Sequence, residues 1–89
     1  LFLKALGQYA KLMLKHNEIQ EATASLEECI RLNSDFSEHF IQLGNIYQSQ
    51  NNASQLELLI TKANQLNSIN KKGILDKLES LKSTFSIIK

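Results

Sequence analysis

His16 and His39 are the only histidines of this chain and Cys29 its only cysteine, so any metal or nucleophile chemistry has to start from these three residues. A metal site needs three or four nitrogen, sulfur or oxygen ligands at short spacing. The two histidines lie 23 positions apart, and neither has a second histidine, a cysteine or a carboxylate at ligand spacing. They read as ordinary surface residues, one at a helix end and one at a helix start. A cysteine nucleophile needs an accessible, electropositive setting. Cys29 instead falls in an apolar stripe and reads as a core thiol. Paired carboxylates for acid–base work require a cleft and opposed environments; Glu18, Glu21, Glu27 and Glu28 fit a solvated helix face better. No Gly-rich phosphate loop, G-x-S-x-G elbow or H-E-x-x-H pair occurs. These residues point away from an enzyme and imply no metal and no cofactor.

Bulk composition narrows the class further. The chain has 89 residues, a net charge of +1, three glycines and no proline. That size makes one domain or a piece of one, burying only about 60–65% of its unfolded surface. The near-neutral charge favours neither nucleic acid nor an acidic membrane as partner. No apolar run approaches the roughly 20 residues that span a bilayer, and the opening LFLKAL is too short and lacks the basic leader of a signal peptide. A single cysteine forms no internal disulfide and is compatible with an intracellular setting. The chain opens on apolar residues already in helical phase and reads as a piece of a longer repeat protein.

The elements that position these residues are helices. Leu3, Leu6, Tyr9, Ala10 and Met13 recur at three- and four-residue steps and form one predicted inner face. Asn17, three residues before Gln20, is expected to cap a second helix whose inner face carries Ile19, Ala22, Leu26, Cys29 and Ile30, with Leu32 near its end. Asn33-Ser34-Asp35 breaks it. Asp35 and Glu38 form the next expected capping pair, opening a third helix with Phe40, Leu43, Gly44, Ile46 and Tyr47 facing in. Glycine inside a helix costs about 1 kcal/mol relative to alanine, so Gly44 predicts close approach of a neighbouring helix. Asn51-Asn52 marks a turn, and a fourth helix carries Leu56, Leu59, Ile60, Ala63 and Leu66. From about Asn70 a fifth follows, with Ile74, Leu75, Leu78, Leu81, Phe85 and Ile88 in one stripe and Lys72, Asp76, Lys77, Glu79 and Lys82 opposite. The expected class is all-α.

Shifting the sequence by 34 lays the apolar pattern on itself. Leu6 falls on Phe40, Tyr9 on Leu43, Ala10 on Gly44 and Met13 on Tyr47. Ala22 falls on Leu56, Leu26 on Ile60, Cys29 on Ala63 and Leu32 on Leu66, and both units close on Asn-Ser, at 33–34 and 67–68. Two helices in a 34-residue period resemble the tetratricopeptide repeat. The unit 37–70 resembles it closely, with Phe40 in the large aromatic slot followed by Leu43-Gly44, Tyr47, Ile60 and Ala63. It departs at Leu56, usually alanine, and at Ser68, usually proline. The unit 3–36 is a looser match, and 71–89 resembles a capping helix. The resemblance implies hairpins stacked as a short right-handed superhelix of five helices. Because each hairpin leaves an apolar face open and about three repeats are usually needed, a preceding repeat against Leu3 and its neighbours is expected.

The resemblance also implies a concave surface lined by the first helix of each unit. The polar residues off the stripe there are Gln8, Lys11 and Lys15, with Lys4, in the first unit. They are Gln42, Asn45 and Ser49, with Glu38 and Gln48, in the second, and Lys72, Asp76 and Glu79 in the cap. Gln8 and Gln42, one period apart, are expected to form a pair suited to the backbone of an extended peptide. Lys11, Lys15 and Lys72 could meet acidic side chains. Some members of that family bind the acidic C-termini of heat-shock chaperones through a clamp of lysine, asparagine and arginine; Lys72 matches one such place, but Gly7, Lys11, Gln42 and Asp76 hold the others, and Asp76 would repel a carboxylate. The expected function is a non-enzymatic module binding a peptide or helix of a partner protein. Two alternatives stand beside it: the structural end of a longer solenoid, dimerising through positions such as Phe2 and Leu14, or an accessory segment of a larger enzyme.

Overall fold

The computed structural model describes residues 2–32 and 34–88, without the side chains of residues 2 and 85–88, so the readings at Phe2, Asn33, Phe85 and Ile88 lie outside the described residues. Five helices follow one another: α1 (Phe2–Lys15), α2 (Ile19–Arg31), α3 (Ser37–Ser49), α4 (Ala53–Asn64) and α5 (Lys71–Ile88), with no strand among the described residues. The all-α expectation holds. α1 packs on α2, α2 on α3, α3 on α4, and α5 on both α3 and α4.

The Cα framework measures 38 × 32 × 16 Å. The 16 Å dimension is about that of two packed helices, whose axes lie about 8–10 Å apart with a Cα radius of about 2.3 Å each. The helices enclose one continuous apolar core that includes Ala10, Ala22, Leu26, Phe40, Leu43, Leu56, Ile60, Ala63, Ile74 and Leu78. Small residues set the spacing. A β-carbon on Gly44 would stand 2.8 Å from Leu78 Cδ2 and 3.0 Å from Leu81 Cδ1, so the helix whose close approach Gly44 predicts is α5. At the other joint, Ser25 Oγ donates to the Leu6 carbonyl at 2.8 Å, holding α2 tightly against α1.

The 34-residue period extends into the turns, in a form different from that expected. Asn17 and Asn51 both have positive φ, 65° and 56°. The amide of Glu18 donates to the Met13 carbonyl and that of Asn17 to Leu14; likewise Asn52 donates to Tyr47 and Asn51 to Gln48. These are two copies of one Schellman turn, each closed by a left-handed residue that asparagine tolerates better than most. Asn17 therefore terminates α1 and does not cap α2, whose N-cap Glu18 makes no side-chain capping bond. Asn52 is the true cap of α4, accepting from the Gln55 amide.

The links after α2 and α4 are also copies. Ser34 Oγ accepts from the Phe36 amide and Ser68 Oγ from the Asn70 amide, both at 3.1 Å. Asp35 is not the cap of α3, because its carboxylate is engaged elsewhere. It accepts from Ser68 Oγ at 2.9 Å, and its carbonyl accepts from Asn70 Nδ2 at 3.1 Å. The two links are thereby laced together.

Tyr9 departs from the expected inner face. It is 43% exposed, whereas its repeat equivalent Leu43 is 1% exposed. α2 packs against α3, but the described residues place no helix over the matching flank of α1. Gly7, by contrast, is buried: a β-carbon there would stand 2.5 Å from His39 Nε2. Leu14 packs against the core and is not an open apolar position; Leu12, 49% exposed, is.

Candidate functional site

The histidines and the cysteine sort by burial. His16 is exposed, but His39, expected on the surface, is only 2% exposed. α3 turns it toward α1, where its ring lies against Gly7 and meets the edge of Phe36 at 5.1 Å. Its Nδ1 shares a 2.7 Å hydrogen bond with Ser34 Oγ. The same Ser34 Oγ accepts the Phe36 amide, so one hydroxyl ties the link after α2 to the imidazole. Burial lowers the imidazole pKa, and the neighbouring Glu38 charge opposes that shift. His39 is thus a structural joint between the two hairpins.

Cys29 is fully buried, with Sγ directed at the Leu3 carbonyl at 3.8 Å. Burial, reinforced by the Glu28 charge, raises its pKa and keeps it a thiol. Among the glutamates, Glu28 pairs with Arg31, whose hydrogen bond holds the carboxyl below its ordinary range. Glu27 accepts from the Tyr47 hydroxyl. Burial and this bond raise the pKa of Tyr47 well above that of a free phenol. No group of three or more His, Cys, Asp or Glu residues among the described residues is arranged to hold a metal ion.

The polar positions expected to bind a partner are carried by α1, α3 and α5. Gln8 lines an open cleft of about 260 Å³ between α1 and α3, together with Lys4, Gly7, Phe36, Glu38 and His39. Lys11 crosses the same joint to Glu38, Nζ to Oε2 at 2.8 Å. Both partners of that pair are about half exposed, so it contributes little to stability. Gln42 is half-buried, and its Oε1 is shielded from solvent with no hydrogen-bond partner. Asn45 and Ser49 are exposed on α3, the latter returning its hydroxyl to the Ile46 carbonyl. Gln48 reaches α5 and donates to Thr84 Oγ1 at 3.1 Å. Lys15 is exposed near the end of α1; Lys72 and Asp76 are exposed on α5 and face each other at 3.5 Å. The clearest departure is in charge: Lys11 and Lys72 already have carboxylate partners within the chain.

The sequence pattern does not point to a second groove. Between α2 and α4 lies an open cavity of about 350 Å³, floored by Leu43 and Tyr47 of α3. Its walls include Ile30, Leu59 and Leu58, the last 59% exposed. The exposed leucine in the middle of α4 was the available signal, because it lies off that helix's inner stripe.

No protein-family model, characterised relative or solved structure matches this chain.

Proposed function

We propose that this chain is a tetratricopeptide-like interaction module that holds an extended peptide or a helix of a partner protein against the polar face of α1, α3 and α5. The observation that carries this reading is Gln42 Oε1 on α3, a buried acceptor with no donor among the described residues. Leaving such a group unpaired costs about 1–3 kcal/mol. The side chain is only half-buried, so rotation of its terminal amide presents that oxygen to a backbone N–H of a bound segment. Gln8, one 34-residue period earlier, opens into the adjoining cleft and offers a second amide at matching register. The Lys11–Glu38 pair beside them favours a segment of mixed or neutral charge over a strongly acidic one.

The test is selection of displayed 12-residue peptides on the wild type. The recovered peptides are then bound to a Gln8→Ala, Gln42→Ala, Asn45→Ala variant whose helicity is confirmed by circular dichroism. Loss of binding by the folded variant supports the reading, and undiminished binding sinks it.

A second reading has an observation of its own. Tyr9 and Leu12 are 43% and 49% exposed, while their repeat equivalents Leu43 and Ile46 are 1% and 5% exposed. That flank of α1 suits an assembly contact. Light scattering of the wild type against Tyr9→Lys, Leu12→Lys checks it: a mass that falls on substitution supports self-association, and an unchanged monomer removes it.

A further inference from the structure

The groove between α2 and α4 belongs to neither reading, and its chemistry is different. α2 and α4 both rest on α3 yet stand apart, and the groove between them has the buried Leu43 and Tyr47 of α3 at its base. The walls are apolar along the middle: Ile30 on one side, Leu58 and Leu59 on the other. Its ends differ in charge. At one end Glu27 is drawn to the Tyr47 hydroxyl. One helical turn further along α2 stands Arg31, and Lys62 occupies the α4 wall. Lys62 and Ile30 also border a smaller recess that runs on to Ser34 and Leu66, so the groove continues past this basic pair. Arg31 has Glu28 as an exposed partner on its own helix. Lys62 makes no ion pair among those found between described residues.

We infer that this groove is a second docking site, taking a short segment of a partner protein that places a bulky apolar side chain between Ile30 and Leu58 and a carboxylate between Arg31 and Lys62. Leu58 supplies the apolar contact, since it is 59% exposed and about 25 cal/mol is gained per Å² of apolar surface removed from water; the buried Ile30 and Leu59 shape the groove. Charge sets the direction. An acidic residue at the Arg31–Lys62 end is attracted, whereas at the opposite end it would meet Glu27. The segment therefore has one polarity along the groove. A basic segment is disfavoured at the Lys62 end by like-charge repulsion.

The test is parallel selection of a displayed 12-residue library, with leucine or phenylalanine fixed at one central position, against wild type, Leu58→Lys and Lys62→Glu. Leu58 is mostly exposed, so its substitution leaves the core intact, as circular dichroism confirms. The expected wild-type consensus has aspartate or glutamate on one side of the fixed residue. Binding should fall at least tenfold on Leu58→Lys, and the consensus should turn basic on Lys62→Glu. The same peptides should bind the Gln8→Ala, Gln42→Ala, Asn45→Ala variant undiminished, which separates this site from the polar face. Absence of a charged consensus, insensitivity to Leu58→Lys, or loss on the triple-amide variant would each overturn the proposal. So would a doubling of mass in light scattering abolished by Leu58→Lys, which would make a second copy of the chain the occupant.

Discussion

Substituting Gly7 by alanine should reveal how closely the two hairpins approach. In an isolated helix this change is favourable by about 1 kcal/mol. Here the new methyl would lie 2.5 Å from His39 Nε2 and 3.0 Å from Cδ2, against an ordinary carbon contact of roughly 3.5–4.0 Å. The ring cannot easily swing away, because Ser34 holds Nδ1 at 2.7 Å and the side chain is buried. Overpacking of this kind typically costs about 1–3 kcal/mol, and partial loss of the Ser34 bond adds about 1 kcal/mol. The balance is a net destabilisation of about 1–3 kcal/mol. In a His39→Ala background the obstruction is gone, and the same substitution should stabilise by up to about 1 kcal/mol. Urea unfolding of the four proteins, followed by circular dichroism at pH 8 where the imidazole is neutral, gives the coupling directly; about 2 kcal/mol or more is expected, within the range for residues in contact. Additive effects, or a Gly7→Ala variant more stable than wild type, would refute the close joint.

Four further outcomes follow from the same geometry. Because burial lowers the folded-state pKa of His39 below its unfolded value of about 6.5, the unfolded chain binds more protons in the window beneath that value. Stability should therefore be full above pH 6.5 and fall as pH drops through the window toward the folded pKa; a His39→Gln variant should lack that slope, and identical profiles from pH 7 to 5 would contradict the buried imidazole. Asn17→Ala and Asn51→Ala should each lose about 1 kcal/mol in urea unfolding, since both positions hold left-handed backbone, whereas glycine there should cost nothing. Gly73→Ala should stabilise by up to about 1 kcal/mol, because a β-carbon there meets nothing within 4 Å; thermal unfolding would show a raised midpoint. Asp35→Ala should lower the unfolding midpoint by breaking the bond from Ser68, and a Ser68→Ala variant should lose no more when Asp35→Ala is added.

The sequence carried the helices and most of the core because burial leaves a three-to-four-residue rhythm. Phe40, Leu43, Gly44, Ile46 and Tyr47 are all buried as that rhythm requires, as are Ala22, Leu26, Cys29 and Ile30. It failed where the deciding partner is distant in the chain. Asp35 resembles a helix cap locally, but Ser68 engages its carboxylate across the two links. His39 looks polar and solvated until α1 is laid over it with glycine at the contact. Tyr9 shares the rhythm of the core, yet rhythm does not say whether another helix arrives to cover it. The turns carry a signal of their own: Asn17 and Asn51 are identical residues one period apart, and both hold the left-handed backbone that closes the turn.

Amide chemical-shift mapping would locate the partner on or off the polar positions of α1, α3 and α5. The ligand is the tightest peptide recovered by selection on the wild-type chain without a fixed central residue. The largest shifts should fall on Gln8, Lys11, Gln42 and Asn45, with the Gln42 side-chain amide moving as Oε1 gains a donor. Shifts confined to Ile30, Leu58 and Leu59, or to Tyr9 and Leu12, would contradict that placement.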